Sequence, residues 1–180
     1  MRYIPFTRLG GPMIFELTVT QFTKMLENLT GILDKAAGFA DGKKIEMDVL
    51  LQSRLAPDQF NLIRQIQITC DTAKLCASRL TTKEAPVHAD TEKTLGELRA
   101  RIESTLTYLK TFSSKDYADA AKRHITQPRW EGQYLTGEEF VQNHAIPNFY
   151  FHLTTAYAIL RHNGVEIGKK DFLGKMPYKK

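Results

Sequence analysis

Between Ile63 and Leu80 the apolar and small residues Ile63, Ile66, Cys70, Ala73, Ala77 and Leu80 recur at alternating spacings of three and four. At 3.6 residues per turn this pattern draws one narrow stripe along a helix, and such a stripe is stable only against a partner stripe. Small residues at its centre let a neighbouring helix come close, as in a bundle seam. Three further windows share the period. Residues 18–40 carry Phe22, Met25, Leu26, Leu29, Ile32, Leu33 and Ala36, with Asp41-Gly42 as the expected stop. Residues 91–112 carry Leu95, Leu98, Ile102, Leu106 and Leu109 behind Asp90, a candidate cap. The last window opens at Thr136-Gly137-Glu138-Glu139 and runs to about His162, before Asn163-Gly164. The second helix is expected to open at Ala56-Pro57-Asp58, after a short helix near residues 48–54. His124-Ile125-Thr126-Gln127 and Gln133-Tyr134-Leu135-Thr136, separated by P-R-W-E-G, read as a small β-hairpin. The pattern predicts an all-α chain: an antiparallel four-helix bundle with a small β-hairpin before the last long helix.

With 180 residues, 42% of them hydrophobic, the chain is sized for one domain with a substantial core. It holds no run of eighteen apolar residues, and its first residues lack the apolar segment of a signal peptide, so a cytoplasmic protein without membrane partners is expected. Cys70 and Cys76, six apart and hence about 240° apart on a helix, read as core thiols of a reducing compartment. The net charge of +5 collects in the ends: Arg2 and Arg8 at one, Arg161 and five lysines against Glu166 and Asp171 at the other. A nucleic-acid-binding surface needs such charge on a folded face, so nucleic acid is not the expected partner.

The stretch H-A-I-P-N-F-Y-F-H, residues 144–152, bears the chemistry. His144, Asn148 and His152 fall within about 80° of one another on a helix. Pro147 withholds a backbone donor in the middle of that face and is expected to break the helix locally. On the second helix Gln67 and Asp71 lie four apart, beside the seam. Two readings stay open. Two histidines and an aspartate make a two-His, one-carboxylate metal site, with Gln67 and Asn148 as weak ligands or orienting groups and zinc or nickel as the ion. Alternatively, the same side chains satisfy one another as a buried hydrogen-bonded network without metal. The phosphate-binding, dinucleotide, nucleophile-elbow, H-E-x-x-H and C-x-x-C motifs are absent.

The segments L-A-P-D-Q-F-N-L-I-R-Q-I-Q-I-T-C-D-T-A-K (55–74), H-A-I-P-N-F-Y-F-H-L-T-T-A-Y-A-I-L-R-H-N-G-V (144–165) and G-K-K-D-F-L-G (168–174) resemble the uncharacterised bacterial family called domain of unknown function 1993. That family is similar in turn to the DinB and YfiT group of four-helix bundles. Many of that group bind a divalent metal through three histidines, often as dimers, and some are thiol-dependent transferases or hydrolases. The resemblance implies an up-down-down-up bundle spanning 13–174, an N-terminal extension at 1–12 that is poorly ordered, and a basic tail at 175–180. It places the group's last-helix histidine pair on Asn148 and His152, followed by Leu160-Arg161 and Gly164, and the third histidine near Gln67. Two of three ligand positions are thereby amides, with His144 and Asp71 as candidate replacements one turn away. The function expected is a non-catalytic or degenerate-site module built on a polar His/Asn/Gln/Asp network. The alternative is a divalent-metal-dependent hydrolase or thiol transferase using His144, His152 and Asp71 on a small-molecule substrate the sequence does not identify.

The run Phe149-Tyr150-Phe151 cannot turn three rings inward, because successive residues are about 100° apart on a helix. A homodimer that covers the outward ring is expected. Light scattering at micromolar concentration checks this, and a monomer mass counts against it.

Overall fold

The computed structural model describes residues 9–179. Four long helices form the bundle. The first, α1, occupies residues 11–43, where Gly11–Phe15 and Gln21–Lys43 flank a π-helical turn at Glu16–Thr20. A short α2, Met47–Gln52, precedes α3, Leu62–Thr81, and α4, Leu95–Leu109. The last, α5, fills residues 137–162: Gly137–Phe140, a π-helical turn Val141–Ala145, and Ile146–His162. A short α6, Lys169–Leu173, packs back on α1 through the Lys35–Asp171 ion pair (2.6 Å) and an Asn28 bond to the Phe172 carbonyl. None of the described helices is long and apolar enough to cross a membrane.

Side-chain pairs give the helix directions. Gln67 and Lys83 meet Arg101 and Tyr108 in the same order, so α3 and α4 run parallel. Gln65 and Thr72 meet His152 and Asn148 in reverse order, so α3 and α5 run antiparallel. Phe22 stacks on Phe149 (4.0 Å between centroids) while Phe39 lies against Gly164, so α1 and α5 run parallel. This is the up-down-down-up arrangement, and it requires the extended crossover 82–94 to carry the chain back along the bundle before α4 can start.

The stripes lie where their period puts them: Ile66, Cys70, Ala73, Ala77 and Leu80 are buried on α3, as are Leu98, Ile102, Leu106 and Leu109 on α4. The boundaries differ from the sequence reading for local reasons. Helix α1 passes through Asp41-Gly42 and stops at Lys44, whose left-handed conformation (φ 56°) returns its N–H to the Ala40 and Asp41 carbonyls. Helix α3 opens at Leu62, not at Pro57, because the Asn61 side chain accepts the Arg64 N–H. The cap of α4 is Thr94, in a reciprocal capping box with Glu97, which leaves Asp90 free for the ion pairs described below. The hairpin is only two residues a side, pairing His124 with Thr136 and Ile125 with Leu135; Pro128–Trp130 forms a 3-10 turn at its tip.

Of the expected extension, residues 1–8 lie outside the described residues. Leu9 donates its N–H to Glu138 Oε1 (2.8 Å), and Gly11 is buried against the Tyr117 carbonyl. Of the tail, Lys180 lies outside the described residues, while Met176 packs near Lys24.

Gly137 is where the last helix meets the segment before the hairpin: a Cβ there would stand 1.8 Å from the Ala120 carbonyl oxygen. Gly31, on α1, has nothing within 4 Å of such a Cβ. Thermal or urea unfolding should therefore separate the two. Gly137→Ala should lose about 1–3 kcal/mol by overpacking. Gly31→Ala should gain about 0.4–1 kcal/mol from a less flexible unfolded chain.

Candidate functional site: the groove between α3 and α5

A groove of about 540 Å³ runs between α3 and α5. Arg64, Ile68, Asp71, Thr72, Leu75 and Arg79 face it from α3; their three and four spacing makes them one flank of that helix, beside the seam. Phe140, His144, Asn148 and His152, each four residues apart, face it from α5. The π-helical turn just before Pro147 keeps the chain helical through that region. Pro147 then sits in the first turn of the following segment, where its missing N–H costs little.

His152 is 8% exposed and its Nδ1 lies 2.7 Å from Gln65 Oε1. Gln65 donates Nε2–H to the Phe60 carbonyl, which fixes the amide so that its oxygen faces the ring. Nδ1 therefore carries the proton and the neutral ring keeps its lone pair on Nε2. Burial, reinforced by the Arg64 charge, pushes the His152 pKa down to about 4. One turn away Asn148 Nδ2 donates to Thr72 Oγ1 at 2.7 Å.

His144 is held differently. It lies between Phe140, stacked at 5.3 Å, and Trp130, edge-on at 5.5 Å, and its Nε2 is 2.7 Å from Arg129 Nη2. An arginine only donates, so Nε2 accepts and His144 is neutral. Burial, then the charges of Arg129 and Arg79, push its pKa down. Its Nδ1 is buried without a partner among the described residues.

Asp71 and Gln67 are engaged on the far side, toward α4. Arg101, 3% exposed, donates Nη2 to Asp71 (2.7 Å) and Asp90 (2.8 Å) and Nη1 to Glu92 (2.9 Å). Lys74, also buried, reaches Asp71 (3.0 Å), the Pro86 carbonyl and His88 Nδ1. Gln67 accepts from Arg64 and donates to Glu92. Burial pushes Asp90 and Glu92 up, but hydrogen bonds and charge from Arg101, joined at Asp90 by Arg64, outweigh it and hold both carboxyls below the ordinary range. The site expected from the sequence thus divides. His144, Asn148, His152 and Asp71 line one groove, whereas Gln67 belongs to the ionic cluster, and the amide facing His152 is Gln65.

The donors do not suit a metal ion. Asp71 is shared by two cations, His144 Nε2 is held by Arg129, and among the described residues no three His, Cys, Asp or Glu side chains come together to hold one, which leaves the free Nε2 of His152 as a single ligand. Cys70 and Cys76 offer no thiolate, since burial raises both pKa values to about 12.

Replacing Arg101 would leave Asp71, Asp90 and Glu92 without their common partner. Arg101→Met should lower unfolding stability by about 3–5 kcal/mol, the cost of breaking one side of a buried ion pair. A denaturant titration checks this, and a loss under 1 kcal/mol would show that Lys74 and Arg64 suffice.

No curated protein matches the chain. A crystal structure of a DinB family member protein from Shewanella denitrificans is 64% identical to it, covering 94% of this chain and 97% of that one with a TM-score of 0.92. Residues 14–173 match the family described as a domain of unknown function, DUF1993. With that match across nearly its whole length, and a close structural counterpart among the DinB proteins, the chain belongs to the DUF1993 family.

Proposed function

We propose that this protein is a non-catalytic DinB-type module whose α3–α5 groove is a polar network without a resident metal. The observation that carries the reading is the engagement of Asp71 by Arg101 (2.7 Å) and Lys74 (3.0 Å), which leaves His152 paired with the neutral Gln65 amide and, among the described residues, with no carboxylate beside it to complete a metal site. A ring whose pKa lies near 4 is neutral at physiological pH, and its only hydrogen-bonded partner among the described residues is an amide. The alternative, a divalent-metal-dependent hydrolase or thiol transferase on His144, His152 and Asp71, needs an aspartate released from two cations and a His144 released from Arg129. We also propose a homodimer that covers Phe151, which is 58% exposed next to a fully buried Phe149.

Metal content and mutation test the reading together. Protein purified without chelator or an affinity-tag metal should hold no stoichiometric zinc or nickel, and added ion should leave its midpoint unchanged. His152→Ala should lose about 1–3 kcal/mol through the unpaired Gln65 amide, again with no response to metal. A metal enzyme would instead gain about 2.7 kcal/mol from ion at a hundredfold over its dissociation constant, a gain that His152→Ala would abolish.

The histidine also sets a pH window. Its folded pKa of about 4 lies below the unfolded value of about 6.5, so the unfolded chain binds more protons between them. The His152 contribution is complete above pH 6.5 and is lost as pH falls toward 4. Midpoints measured across that range should fall less steeply in His152→Gln than in the parent protein.

A further inference from the structure

The groove carries more positive charge than the network needs. Arg64 is paired with Asp90, and Asp71 is neutralised by Arg101 and Lys74. Arg79 and Arg129 line the same groove, and neither forms an ion pair among the described residues. Arg79 lies over the Phe140 ring (5.9 Å), and among the described residues Arg129 donates only to neutral His144. Glu131 and Arg129 also line an adjoining hollow, and the two form no ion pair among the described residues. Burial lowers the pKa of Arg79, as does the charge of Arg129, so the two guanidinium groups act on one another. Like charges held beside each other in a partly dry groove are stabilised by an anion between them.

The rest of the groove fits an apolar body. Leu75 and Ile68 lie one and three turns from Arg79 along α3, and Phe60 lies at the far end. A volume of about 540 Å³ is in the range of small-molecule sites, and a few polar groups among apolar walls are their usual lining. Guanidinium forks bind carboxylate and phosphate through paired N–H donors.

We propose that the groove between α3 and α5 binds a small organic anion, a carboxylate or phosphate on an apolar body, with Arg79 and Arg129 clasping the oxyanion and Leu75 and Ile68 packing on the body. The proposal rests on the metal-free reading of the groove, since a cation bound at His152 would itself attract anions.

Calorimetry on the EDTA-treated full chain tests it with benzoate, phenyl phosphate, inorganic phosphate and neutral benzamide. Saturable binding of benzoate or phenyl phosphate is expected, with benzamide at least about tenfold weaker. Which of the two anions binds tighter identifies the headgroup. Inorganic phosphate alone should bind more weakly than phenyl phosphate, and equal binding would overturn the role of the apolar wall. Arg129→Gln, at an exposed position that leaves the core intact, should weaken the bound anion about tenfold or more. Arg79→Lys keeps the charge but removes the fork, and should also weaken binding while its midpoint stays near that of the parent. Equal affinity for benzoate and benzamide, or an Arg129→Gln protein that binds as the parent does, would overturn the proposal. Binding that vanishes with EDTA and returns with zinc would overturn the metal-free reading, whereas no binding with or without zinc would overturn the anion site alone.

Discussion

A guanidinium buried inside a helical bundle must be surrounded by acceptors, and Arg101 draws three carboxylates from two other parts of the chain. Asp71 comes from α3, and Asp90 and Glu92 from the crossover 82–94. Because α3 and α4 run parallel, the crossover must traverse the length of the bundle as extended chain, with few backbone partners of its own. The ionic cluster fastens it: Lys74 binds the Pro86 carbonyl and His88, and His88 reaches Ser104 of α4. Asp90 accepts a left-handed backbone (φ 57°) in doing so. The uncommon helix order and the ion cluster are therefore one arrangement.

The apolar periodicity made the bundle legible, since burying a stripe depends on nothing but spacing, and the stripes of α1, α3 and α4 are buried throughout except at Leu95, which is partly buried at the start of α4. The face shared by His144, Asn148 and His152 was legible for the same reason. Polar partnerships were not. Gln65 and Gln67 are two apart on α3 and so point about 200° away from each other; nothing in sequence spacing says which meets α5. Arg101 reads as an exposed residue by type. Yet Leu98, Arg101, Thr105 and Tyr108 form a second row of three and four spacing on α4, and all four are buried. A charged residue inside such a row was the available signal. The caps at Asn61 and Thr94 were misplaced because each lies a few residues beyond a plausible competitor, and only the bonds formed by the folded chain choose between them.

Pro147 shows how a local conflict can be absorbed without breaking an element. The expected kink is instead a π-helical turn at Val141–Ala145, so the proline begins a fresh segment and His144, Asn148 and His152 still face one groove. A matching π-helical turn lies in α1 at Glu16–Thr20, where Thr18 returns its hydroxyl to the Ile14 carbonyl.

The two flanks of α3 are bound by different chemistry, and this gives the bundle a graded resistance to opening. Toward α4 the main link is ionic and buried, and Asp71 lies 30 positions from Arg101. Toward α5 the links are neutral, and Gln65 lies 87 positions from His152. Loop-closure entropy separates these by only about 0.9 kcal/mol, so the strength of the contacts decides the order. Amide protons of α3 and α4 that vanish only on global unfolding, beside α5 amides that exchange through a smaller opening, would be the kinetic imprint of that asymmetry.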